Sequence, residues 1–336
     1  MSWATLGTLA LPFHLQRTGV QARQDLARHS HELTTGQVAS PARHLRGDIG
    51  ALHSIENRLV RIDGFQNALK QTVTAFDLAQ ESLNKVARAG DDLAKKLVLT
   101  AQSVAGPAAR TVAAQAARSA LEETISALSL NVAGRSIFSG VHSDRVPLAS
   151  AETLLAELGT AVDGQTTADA VMNALSDFFD DPDGGFATII YRGGAPAVGG
   201  ALDDGRPGPA LPTADDPALR RQMMSMAMVV LLDNGALTLD PGQEGILQQR
   251  AMTGLLENGP ALAALQARVG DVQAELDERQ IRLSIERDRL EVARSDMISV
   301  DPYKAAMALE QSRVQLESIY AVTARIARLS LTEYLR

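Results

Sequence analysis

Residues 52–87 read LHSIENRLVRIDGFQNALKQTVTAFDLAQESLNKVA, and one column of that stretch, spaced by alternating steps of three and four, is almost wholly apolar. It runs Leu52, Ile55, Leu59, Ile62, Gln66, Leu69, Val73, Phe76, Gln80, Leu83 and Ala87. Such spacing draws a single stripe down a helix, the seam by which it packs in a bundle or coiled coil. A second seam follows two hundred residues later: Leu262, Leu265, Val269, Val272, Leu276, Arg279, Leu283, Glu286, Leu290, Ala293 and Met297. At about 1.5 Å per residue each makes a helix on the order of 50 Å long, several times the length of an ordinary globular helix. The two are expected to pack on each other. The fold class that follows is mainly α, an elongated antiparallel helical bundle or coiled coil formed by N- and C-terminal segments, with a small inserted α/β domain. The polar seam residues fix no register, because Gln66 and Gln80 lie fourteen apart while Arg279 and Glu286 lie seven apart.

The bulk numbers fit helices meeting helices. Only 4% of the 336 residues are aromatic, which suits close helix packing better than a deep ligand pocket. A net charge of −8 without a basic block argues against a nucleic-acid surface. There is no cysteine, hence no disulfide, thiolate nucleophile or cysteine-ligated metal. The run Met223–Leu232 is roughly half of what a bilayer crossing requires, so membrane insertion is not expected. Met1–Arg17 lacks the basic start and small-residue site of a cleaved secretory signal.

Punctuation along the chain divides it into 1–140, an N-terminal helical segment of the bundle, 141–216, an inserted small domain, and 217–336, a C-terminal helical segment. Gly36, Pro41, Gly47 and Gly50 separate an amphipathic start from the first seam, which is expected to end near Gly90. Gly106-Pro107 marks a turn into a return helix over about 108–132. In the Asp-, Gly- and Pro-rich insert, Ala168–Phe179 reads as a helix and Phe186–Tyr191 as a strand. Asp216-Pro217 and Asp240-Pro241 each pair an N-cap with proline at the first helical position, and Asn234-Gly235 closes the helix between them. Asn258-Gly259-Pro260 is expected to break the chain before the second seam, and Ser299–Pro302 to break it after. Glu275 with Arg279 and Glu278 with Arg282 have the favoured acid-before-base spacing.

Chemistry finds little foothold. His29 and His31 sit two apart, on different helix faces, without further ligands nearby. The Asp180–Gly185 run resembles a calcium loop, but Arg192 stands where a closing glutamate would be needed, so a glycine-closed turn is the better reading. Phosphate-loop, nucleophile-elbow and zinc-protease motifs are missing from the sequence. Met223, Met224, Met226 and Met228 read as gap-filling core. No cofactor, no metal and no enzymatic activity are expected.

Several stretches resemble the flagellin superfamily of bacterial axial proteins, within it the hook-associated branch. Arg268–Leu276 is similar to that family's helix with Gly-x-x-Gln spacing. Leu290–Ile298 followed by Asp301-Pro302-Tyr303 looks like its Ala-x-Ser-x-Ile-x-Asp-x-Asp-Tyr stretch, and Ala327–Leu335 is similar to the ending Leu-Ser-Leu-Leu-x-Tyr-Leu. Asn131, Gly134-Arg135 and Phe138-Ser139-Gly140 look like the lead into its variable domain. Residues 35–48 depart from the pattern, with Arg43–Asp48 where relatives carry an Asp-Asp-Pro segment.

This resemblance implies a structural adaptor between hook and filament that acts by subunit assembly and is exported, uncleaved, through the flagellar secretion channel to the extracellular flagellum. Implied partners are neighbouring copies, the other hook-associated junction protein, flagellin and an export chaperone. Alternatives are a flagellin forming the filament itself or a non-flagellar coiled-coil scaffold. The assembly interface is expected on the terminal stripes: Leu6, Leu9, Phe13, Val20, Ile319, Ile326, Leu329, Leu331, Tyr334 and Leu335. Those stripes either pack on each other within a monomer or order against neighbouring subunits, and the want of an obvious internal partner favours the second.

Overall fold

A computed structural model of the chain describes residues 4–102, 107–132, 134–203, 205–233 and 235–334. The elements in order are α1 (Ala4–Thr35), α2 (Pro41–His44), α3 (Gly50–Gln102), α4 (Pro107–Leu128), β1 (Asn131–Val132), β2 (Arg135–Ser136), α5 (Ala151–Ala161), α6 (Ala168–Asp180), β3 (Gly199–Asp203), β4 (Arg206–Gly208), α7 (Pro217–Leu231), α8 (Pro241–Ile298) and α9 (Pro302–Tyr334). The fold is mainly α, with two small antiparallel hairpins, β1–β2 and β3–β4. It divides into two compact units, one of Met1–Asp63 with Ser284–Arg336, the other of Gly64–Leu283.

Both seams are real. Every one of their positions, from Leu52 to Ala87 and from Leu262 to Met297, is buried or half-buried. Polar pairs flank the seams and fix a register that the sequence reading left open. In the first unit Glu56 faces Arg294 at 3.8 Å and Asp63 faces Arg287 at 3.6 Å. In the second, Asp77 accepts from Gln273 at 2.6 Å and Asn84 from Gln266 at 3.0 Å. Within each unit a step of seven forward on α3 is thus matched by a step of seven back on α8, the signature of an antiparallel heptad pair. Two of the seam polars are paired: Glu286 accepts from Arg58 at 2.7 Å, and buried Arg279 donates through one nitrogen to Glu275 at 2.7 Å.

Two expected breaks are absent. α3 runs past Gly90 to Gln102, because Leu93, Ala94 and Leu97 continue its buried face. Glycine costs a helix interior about 1 kcal/mol, but here its bare backbone makes room for another side chain: a Cβ on Gly90 would lie 1.7 Å from Nε2 of Gln222. α8 likewise runs through Pro260. Proline removes one helical hydrogen bond at a cost of about 3 kcal/mol, and burial of Leu255, Asn258, Leu262 and Leu265 on both sides holds the helix together. The break at Ser299–Pro302 is present.

The second unit gathers α4, α5, α6 and α7 on one core. α7 is capped by Asp216, whose side chain accepts from Ala218 N, with Pro217 in the first turn, and almost all of it is buried. Met223, Met226 and Met228 are core residues, as expected. Phe186–Ile190 is a single π-helical turn instead of a strand, closed by Tyr191 N–H donating to Phe186 carbonyl at 2.7 Å. That winding places Phe186 and Ile190 four apart on one buried face, with Phe186 stacked on Phe179 at 5.3 Å between centroids. A short apolar run is compatible with either state, and packing decides. The strands of this region are β3 and β4, which Gly205 joins at φ +95°. Asp181–Gly184 is a tight turn in which Asp181 accepts from the backbone N–H groups of Asp183 and Gly184.

The Phe138-Ser139-Gly140 turn is a backbone crossroads. Phe138 carbonyl accepts from Ala214 N and Ser139 carbonyl from Gly194 N, both at 2.9 Å. Ser139 Oγ donates to Arg145 carbonyl at 2.7 Å. Gly140 has φ +58°, and a Cβ there would come within 2.3 Å of Ala195 O, so only glycine suits the position.

Candidate assembly surface

In the first unit α1 and α9 pack on each other. Small residues make the approach: Gly19 and Ala22 are buried, and Ile319 Cγ2 lies 3.6 Å from where a Cβ on Gly19 would be. Arg23 sits over the Tyr320 ring at 5.8 Å, close enough for a cation–π contact. Leu309, Ser312, Leu316, Ile319 and Ile326 turn a half-buried or buried stripe of α9 inward. The terminal stripes therefore do have a partner inside the chain.

Two chain breaks meet at the foot of this pair. Val38 N–H donates to Ile298 carbonyl at 2.8 Å and Val300 N–H to Gly36 carbonyl at 2.9 Å, bridging Gln37 to Ser299. Glu32 braces the crossing. One of its oxygens accepts from Ala39 N at 3.2 Å and the other lies 3.0 Å from His29 Nδ1. Arg28 is 3.3 Å from His29 Nε2 and 2.8 Å from Asp25. Burial raises the Glu32 pKa, but the Ala39 N–H, His29 and Arg28 outweigh it, and the carboxyl titrates below its ordinary value.

The outer side of the pair stays open. Phe13 is 70% exposed and Val20 47%; on α9, Tyr303, Met307, Val314, Tyr320 and Val322 are exposed too. Of the anticipated interface residues, Phe13 and Val20 face outward, whereas Ile319 and Ile326 are half-buried. The side chains of Leu6, Leu9, Leu329, Leu331 and Tyr334, and all of Leu335, lie outside the described residues. Tyr303, Met307 and Val314 were missed by the sequence reading. Their steps of four and seven form a second apolar stripe on the far side of α9 from the one through Leu309 and Leu316, and a two-striped helix is the available signal.

Among the described residues no three His, Asp or Glu side chains converge as a metal site, and no helix is long and apolar enough to cross a membrane. Long helices paired by heptads, with a terminal pair closed on one face and carrying exposed apolar side chains on the other, define a mainly helical, bundle-type protein. Residues 256–335 match the family described as the bacterial flagellin C-terminal helical region. No curated protein sequence matches the chain. Among solved structures it is similar to one described as a flagellar hook-associated protein from Vibrio parahaemolyticus, with TM-score 0.53 and 12% identity over 73% of this chain and 95% of that one. It is also similar to FlgL of Bacillus cereus, with TM-score 0.51 and 13% identity over 71% of this chain and 97% of that one. Residues 256–335 thus carry a region similar to the flagellin C-terminal helical region, and the fold of the chain is similar to that of these two structures.

Proposed function

We propose that this chain is a structural subunit of the bacterial flagellum that forms an adaptor layer at the hook–filament junction. The observation that carries the reading is the open face of the α1–α9 pair: helices that have already buried one side against each other keep Phe13, Val20, Met307 and Val314 outside. Burial of such side chains releases about 1.5–3 kcal/mol each, so neighbouring copies that cover them gain what an assembly needs. Leu6, Leu9, Phe13 and Val20 on α1 and Ile319, Ile326, Leu329, Leu331, Tyr334 and Leu335 near the other end are assigned to this interface. The segments 1–140 and 217–336 form the axial layer, and 141–216 is the displayed insert. Contacts are heterologous, one surface of a subunit meeting a different surface of the next.

Further partners in this reading are the other hook-associated junction protein, flagellin and an export chaperone. The chain travels through the flagellar secretion channel and acts by assembly. Immunogold labelling of intact flagella tests the proposal. A narrow band of gold at the hook tip supports it. Label along the filament would mean a flagellin, and label confined to the cytoplasm a scaffold protein.

A further inference from the structure

We propose that Pro260 is a joint in α8, and that the buried Asn258–Gln222 pair, seated in a saddle at Gly90, is the latch that sets it. The joint falls where α8 changes partners within the second unit. Before it, α8 is tied to the small helices: Gln243 Oε1 accepts from Ala168 N at 2.8 Å, Glu244 pairs with Arg110, and Arg250 pairs with Asp169 at 2.5 Å. After it, Gln266 and Gln273 bond to Asn84 and Asp77 of α3. A proline at this changeover removes the hydrogen bond to the Leu256 carbonyl and sterically loosens that turn, which is where helices bend.

The latch spans the weak turn. Asn258 is 4% exposed, and its Nδ2 donates to Ala218 carbonyl and to Gln222 Oε1, each at 2.9 Å. Gln222 is 2% exposed and lies across bare Gly90 on α3. One amide pair thus touches α3, α7 and α8 at once. A second close approach supports it one turn earlier, where a Cβ on Gly254 of α8 would be 2.6 Å from Ser225 Oγ of α7. The two bonds from Asn258 Nδ2 select a single setting of this turn, while its buried Oδ1 has no partner among the described residues. The latch sets the direction in which the α3–α8 pair carries the small helices of its unit.

The chain has no cysteine, so spin labels can be placed on the full-length protein at exposed Gln249 and Asp271, about 33 Å apart along α8. Pulsed electron resonance should give one narrow distance distribution for the parent. Asn258→Leu, branched alike at Cγ but unable to bond, should broaden it or split it in two, and adding Pro260→Ala should narrow it again. A parent-like distribution in Asn258→Leu, or a double variant that stays broad, would overturn the proposal. Should Asn258→Leu lose the parental helical circular dichroism, Gly90→Ala is read with the same labels. Its methyl displaces the Gln222 amide and should broaden the distribution, whereas a narrow one would overturn the latch.

Discussion

Glu32 shows how much a single carboxylate can organise. The Arg28 guanidinium only donates, so His29 Nε2 beside it accepts, which leaves the proton on Nδ1 to be donated to Glu32. The other oxygen of Glu32 holds Ala39 N, the first turn beyond the crossing. With its folded pKa lowered from the ordinary 4.5, Glu32 contributes stability that is present above that value and is lost as pH falls through the lower folded value. Glu32→Gln should therefore cost about 1 kcal/mol at neutral pH, the net value of one such hydrogen bond. In urea titrations at a series of pH values, the gap between variant and parent should close in acid. A gap of constant size down to about pH 3 would refute the role assigned to the carboxylate.

Elements were readable where one local rule and the tertiary packing agreed. Asp216 is such a case: it caps α7 through Ala218 N and also holds Arg268 at 2.9 Å. Asp216→Ala should lower stability by about 1 kcal/mol through the lost cap, seen as a lower thermal midpoint, and Asp216→Asn should recover most of it. The seams were equally legible, since a heptad stripe over eleven positions has no competing explanation. Gly90, Pro260 and Phe186 were misread for one shared reason. Each breaks a local preference at a site where packing makes the unfavourable choice worthwhile: Gln222 across Gly90, Gln222 again on Asn258 beside Pro260, and Phe179 on Phe186. The inward face of α1 was missed on other grounds. Its contact is made by Gly19 and Ala22, and a reading that weighs large apolar residues follows Phe13 and Val20 to the outside.

At the scale of the whole molecule the terminal pair and the long seams do separate tasks. The seams close each unit on itself, whereas the pair leaves apolar side chains exposed. Only part of that candidate surface was visible in advance: Phe13 and Val20 were, Tyr303, Met307 and Val314 were not, because a helix with two stripes shows its stronger one first. Val20→Glu combined with Val314→Glu should leave the circular dichroism of the monomer unchanged and weaken self-association at least about tenfold, the equivalent of one lost apolar burial. Sedimentation velocity across a concentration series measures it, and unaltered association would remove these residues from the interface.

Two main-chain bonds tie together the place where α1 leads into α2 and α8 into α9, Val38 N to Ile298 O and Val300 N to Gly36 O. Such a fastening is indifferent to the amino-acid alphabet. Gln37 and Ser299 can be exchanged for almost anything, whereas proline at Val38 or Val300, which takes away the donor, is barred, and Gly36 at φ +68° favours glycine. Val38→Pro should loosen amide-exchange protection on both strands of the crossing together, while Gln37→Ala should leave it intact. A lineage can rewrite the letters at that junction and still route the chain the same way.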